Sequence, residues 1–88
     1  MKLPFKETAL GNNQYLREFD ANVDRDAIEE WHRDREDRIV EVVENTDWLL
    51  QMDNELPQLL QGKYFIKKEN YHRVISGKDK LIVKITKL

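Results

Sequence analysis

From Gly62 onward the chain alternates short apolar runs with turn residues. Tyr64-Phe65-Ile66, Tyr71-His72-Arg73-Val74-Ile75 and Leu81-Ile82-Val83-Lys84-Ile85 are rich in β-branched and aromatic side chains, which suit the pleated, half-buried surface of a strand. Gly62 and Ser76-Gly77-Lys78-Asp79 punctuate them. Upstream, Trp48-Leu49-Leu50-Gln51-Met52 reads as the return strand of a hairpin that turns at Asn45-Thr46-Asp47. Leu56-Pro57-Gln58-Leu59-Leu60 is short, and Pro57, with no N–H to give, confines it to an edge or a strand start. Gln14 to Phe19 forms a short strand after the turn signal Gly11-Asn12-Asn13. It ends at Asp20-Ala21-Asn22-Val23-Asp24, where Asp and Asn side chains compete with a strand ladder for the backbone. Several short strands separated by turns predict a sandwich or barrel.

The segment from Asp24 to Glu44 carries two conflicting patterns. Ile28, Trp31, Arg35, Ile39, Val42 and Thr46 recur at helical spacing, and Asp24 or Asp26 would cap such a helix. Against this, Ile39-Val40-Glu41-Val42-Val43 is β-branched at four of five positions. The helical alternative is an α+β domain whose C-terminal lysines contact nucleic acid.

At 88 residues the chain makes one domain, with no internal repeat or linker. So short a chain buries only about 60–65% of its unfolded surface, and a metal or a partner subunit often supplements such a core. Trp31 and Trp48 suggest a homodimer. Without cysteine, neither disulfides nor thiolate ligands are available. No apolar run is long enough to span a membrane, and no signal-peptide core follows Met1-Lys2, so a cytoplasmic location is expected.

Charge is uneven along the chain. Residues 1–62 hold 7 basic and 15 acidic side chains (−8), and residues 63–88 hold 8 basic and 2 acidic (+6). The late lysines alternate with apolar residues, as on the wet face of a sheet, which makes nucleic acid a poor partner.

Candidate chemistry gathers at the two histidines. If residues 30–34 are extended, His32 and Asp34 project to one face, Trp31 to the other. Asp37 follows after a bend, and His72 lies on a distant strand. Two imidazoles and a carboxylate converging with open positions suit a divalent transition metal such as Fe, Mn, Ni or Zn. Salt bridges to Arg33, Arg35 or Arg38 are the competing use of Asp34 and Asp37, because 11 of the 15 residues 24–38 are charged. Trp48, Tyr64 and Phe65 are expected in the core or lining the barrel, while Arg38, Gln51 and Tyr71 could offer polar groups at its mouth. No phosphate loop or Ser-His-Asp arrangement is present, and Ser76, on a turn, is not a candidate nucleophile.

From Trp31 to Ile85 the spacing resembles the cupin family. His32-x-Asp34 looks like the family's His-x-His pair with Asp as second member, and Asp37 falls near its Glu. Val42-Val43-Glu44-Asn45 looks like the strand end and Gly turn, with Asn in the Gly place, the residue next most tolerant of left-handed geometry. Gly62, Phe65-Ile66 and His72-Arg73-Val74-Ile75 resemble the second motif, although Lys67 replaces the usual Pro and the motif is one residue short. The resemblance implies an all-β, double-stranded β-helix or jelly-roll barrel over 1–88, with 1–23 as N-terminal strands and turn and 24–88 as the cupin core. It implies a metal site of His32, His72 and one or both of Asp34 and Asp37, and an internal pocket for a small molecule.

Overall fold

A computed structural model describes residues 5–21 and 25–88. Among these residues eight strands are arranged in two antiparallel sheets. They are β1 (Phe5–Gly11), β2 (Gln14–Phe19), β3 (Arg38–Val42), β4 (Leu49–Met52), β5 (Gln58–Leu59), β6 (Lys63–Ile66), β7 (His72–Ile75) and β8 (Leu81–Lys87). The larger sheet runs β1-β2-β8-β3-β6 and the smaller β5-β4-β7. The only helix among the described residues is one turn, α1 (Arg25–Ile28). The β-branched run therefore outweighs the helical spacing between 24 and 44: residues 38–42 pair with both β6 and β8. Among the described residues the long helix of the α+β alternative does not form.

The strand pattern of the second half holds, and the first turn forms as expected. Gly11, Asn12 and Asn13 all take positive φ between β1 and β2, conformations that Gly and Asn adopt at least cost. Asn45 is not among the positive-φ residues, so left-handed geometry does not explain Asn at that position.

Strand pairing departs from local expectation at β4. It does not fold back on β3; β3 pairs within the large sheet, and β4 pairs with β5 and β7 in the small one. The Asn45–Asp47 stretch is thus a crossover between sheets. Asp47 fastens it by accepting the backbone N–H groups of Lys78 (2.7 Å) and Asp79 (3.2 Å). Gly77 fits there because a Cβ would collide with the Asp47 carboxylate and backbone.

The core lies between the sheets. On β8, Leu81, Val83 and Ile85 face inward to meet Trp48, Leu50, Leu60 and Ile28, the period of two that a strand imposes. Lys84 points outward and sits 3.4 Å from Glu41, its partner in register on β3. Trp48 is fully buried, so it belongs to the core and not to a subunit interface. Tyr64 packs on the core, with its hydroxyl bonded to the Leu59 carbonyl and the Gln61 N–H. Phe65, expected inside, is 62% exposed: with Tyr64 and Ile66 facing in, alternation turns it out. No helix among the described residues is long and apolar enough to cross a membrane.

Candidate metal centre

Backbone pairing brings the two histidines together. His32 N–H donates to the His72 carbonyl at 3.0 Å and His72 N–H to the His32 carbonyl at 2.8 Å. This isolated antiparallel bridge adds residue 32 to the outer edge of β7. Directly opposed residues point to the same side of a sheet, and the two rings stand 4.3 Å apart between centroids. Asp34, two residues beyond His32, shares its face and is 8% exposed. One ligand atom from each of His32, Asp34 and His72 lies within 4.8 Å of the others.

Trp31 and Arg33 fall on the opposite face, as the extended reading requires. The Arg73 guanidinium lies 4.9 Å from the Trp31 ring, and Arg33 lies 5.4 Å from the Tyr71 ring. Asp37 is not in the group: its carboxylate accepts the Lys68 N–H at 2.7 Å. Arg73 donates to Gln51 at 2.9 Å, so Gln51 and Tyr71 serve the outer surface. Of the three polar residues expected at the mouth, only Arg38 lines the cavity.

The hydrogen bonds of both rings suit ligation. His72 Nδ1 lies 2.8 Å from the Asn70 carbonyl and His32 Nδ1 3.2 Å from the Glu30 carbonyl. A carbonyl only accepts, so each Nδ1 carries a proton, and in a neutral ring Nε2 is left with its lone pair. A partner on the far nitrogen that fixes ring and tautomer is the usual support of a metal-binding imidazole. His72 Nε2 stands 3.4 Å from Asp34 Oδ2, yet that buried oxygen has no hydrogen-bond partner among the described residues. A lone pair facing an unpartnered carboxylate oxygen calls for a cation between them, either a proton on Nε2 or a metal ion. The donor set therefore fits a divalent metal.

Asp34 also serves the competing use anticipated for it, through its other oxygen. Oδ1 lies 3.4 Å from Arg38 Nη1. Burial alone would raise the Asp34 pKa, but the contact with His72 and the charge of Arg38 outweigh it, and the net shift is downward. Burial pushes His32 below its ordinary 6.5, His72 adding to the effect against the Glu30 carbonyl. His32 is exposed as a residue, but its ring lines the cavity, which explains why desolvation acts on it.

Both shifts have the same sign for stability. Each folded pKa lies below its unfolded value, so the unfolded chain binds more protons and stability rises with pH. The His32 contribution is intact above 6.5 and is lost as pH falls through its lowered pKa; the Asp34 contribution is intact above 3.8 and is lost further into acid. The melting temperature of metal-free protein is therefore expected to decline from about pH 6.5 downward. His32→Gln should flatten the upper part of that decline; an unchanged profile in this variant would exclude His32 as its source.

The three residues line a cavity of about 350 Å³ between the sheets. Phe5, Phe19, Leu50, Val74, Val83 and Ile85 are among its apolar walls. Arg17 and Glu30 also line it, and neither stands out in the sequence. Arg17 was detectable as a charge in phase with Tyr15 and Phe19 on β2; Glu30 has no such signal.

The sequence matches no protein-family model and no curated protein. Solved structures do match its fold. A cupin domain from Bordetella pertussis Tohama I aligns over 100% of this chain and 98% of its own, with TM-score 0.63 and 21% identity. The fold is that of a cupin. KdgF from Halomonas sp. aligns over 94% of this chain and 77% of its own, at TM-score 0.66 and 18% identity. The DMSP lyase structures of RdDddP and RnDddQII give TM-score 0.66 at 15% identity over 82% of this chain, which spans only 35% of that lyase chain. These identities carry the cupin architecture and no activity.

Proposed function

We propose that this cupin-fold chain binds a divalent transition metal through His32, Asp34 and His72 and admits a small molecule to the cavity beside it. The observation that carries this reading is the Asp34–His72 pair: a buried carboxylate oxygen without a hydrogen-bond partner among the described residues, 3.4 Å from a ring nitrogen whose companion nitrogen is already committed. Three protein ligands leave positions for water or an oxygenated ligand, and an ion held there would act as a Lewis acid. His32 and His72 supply borderline-soft donors and Asp34 the charge, a combination open to Fe, Mn, Ni or Zn. The apolar walls exclude water from whatever binds, strengthening its polar contacts.

Metal analysis of protein purified without chelator tests the proposal. Near-stoichiometric metal is expected in the unmodified chain, with loss in the His32→Ala/His72→Ala double variant. Equal metal in both proteins would sink the site.

A further inference from the structure

The outer face of the small sheet carries a pattern that is its own complement. Leu50, Leu60 and Val74 pack into the core, so alternation turns Leu49, Leu59 and Ile75 outward. These three stand in one register row, Leu59 opposite Leu49 and Leu49 opposite Ile75. They form an apolar band across all three strands, with Leu59 exposed and the other two half-buried. Two residues further along β4 the face is polar, and Gln51 stands at its centre. Gln51 Oε1 accepts Arg73 Nε at 2.9 Å from the β7 side, and its Nε2 donates at 3.0 Å to the carbonyl of Glu55, on the connection to β5. A cation and an acid thus flank the central strand on opposite sides. Among the described residues neither the Arg73 guanidinium nor the exposed Glu55 carboxylate forms an ion pair. Glu29, near enough to feel the Arg73 charge, is bound to Ser76 instead.

We propose that a second copy of this chain docks on this face, about a two-fold axis running along β4. Rotation about that axis lays Leu59 over the partner's Ile75 and Leu49 over the partner's Leu49, and it sets each Arg73 against the partner's Glu55. Such self-complementarity is what an isologous dimer requires. Trp31, next to Arg73, is 39% exposed, and Leu56, next to Glu55, is 87% exposed, so each charged contact also has an apolar neighbour on either chain. Tryptophan and arginine are the side chains that most often carry interface energy. An unrelated protein would have to match opposite charges on the two sides of one aliphatic band, whereas a second copy supplies both by symmetry. The inference rests on neither the metal site nor the cavity.

The test is sedimentation velocity over a concentration series. The unmodified chain is expected to sediment as a dimer. Glu55→Arg and Arg73→Glu each create two like-charge contacts by symmetry, and each should weaken association at least about tenfold. An equimolar mixture of the two single variants should recover the dimer, because both contacts between unlike chains then pair opposite charges. Leu49→Cys, in a chain with no other cysteine, should oxidise to a covalent dimer, since the axis sets position 49 against itself. A monomeric unmodified chain, a dimer indifferent to either charge reversal, or folded single variants that fail to associate when mixed would overturn the proposal. Should a reversal variant fail to fold, the Leu49→Cys protein decides, and its failure to cross-link would overturn the proposal as well.

Discussion

Asp34→Ala is expected to lose both metal and stability, for separate reasons. The metal site loses its only charged ligand. Changes one step removed from a metal typically cost about 10–100-fold in affinity, and loss of a direct anionic ligand should exceed that. The fold loses the partner of Arg38. Breaking a buried ion pair by removing one member costs about 3–5 kcal/mol; Glu36, 3.5 Å from the same guanidinium, remains to compensate, which brings the expected loss to about 2–3 kcal/mol. For a domain of this size that lowers the melting temperature by roughly 10–20 °C. Adding Arg38→Met removes the orphaned charge and should recover much of the stability but none of the metal. Chemical denaturation and metal titration of the two single variants and the double variant, read as a cycle, separate the effects. Additive stability losses would show that Asp34 and Arg38 are not coupled, and an Asp34→Ala protein with full metal affinity would remove Asp34 from the site.

The coupling gives a physical reason for the departure at position 34. The cupin pattern has a second histidine there, and a neutral imidazole could not balance a guanidinium reaching in from residue 38. Asp34 is placed to serve both the guanidinium and the proposed metal, because Arg38 approaches Oδ1 and leaves Oδ2 facing His72. Arg38 in turn helps hold the carboxylate charged despite its burial.

Much of this was legible in the sequence, and the losses have definable causes. Strands after Gly62 could be read because period-two alternation and turn residues agree there. The pairing of His32 with His72 could be anticipated only through the two motifs jointly, since residues 30–37 taken alone are too charged to suggest a strand. The partner of β4 could not be read, because local pattern reports that a segment is extended and not which sheet receives it. Asp37 could not be placed because it follows a bend, where the phase of alternation restarts; it turned to the Lys68 backbone instead of the cavity. The contacts of Arg38 with Asp34 and Glu36 depend on side-chain placement, which spacing does not determine.

Trp48→Ala is expected to be the most destabilising single change away from the site. The side chain is fully buried, its ring lies 5.7 Å from that of Phe19, and its Nε1–H donates to the Asp79 carbonyl. Its backbone receives the Leu60 N–H at 3.0 Å, so it joins the crossover from β3 to the segment after β5. Truncating a buried aromatic of this size costs about 3–5 kcal/mol through lost burial and the space left behind, and the Asp79 carbonyl loses its partner as well. A chain of 88 residues has roughly 4–13 kcal/mol to lose, so much of the population should unfold at modest denaturant. Trp48→Phe keeps most of the volume and should retain more than half of the lost stability. Trp48 does not line the cavity, so whatever fraction remains folded should bind metal with unchanged affinity. Denaturant titration followed by metal binding under native conditions measures both quantities. A stable Trp48→Ala protein would mean that the small sheet is held mainly by its β4–β7 ladder, and a folded variant with weakened metal binding would mean that the core and the His32–His72 bridge are coupled.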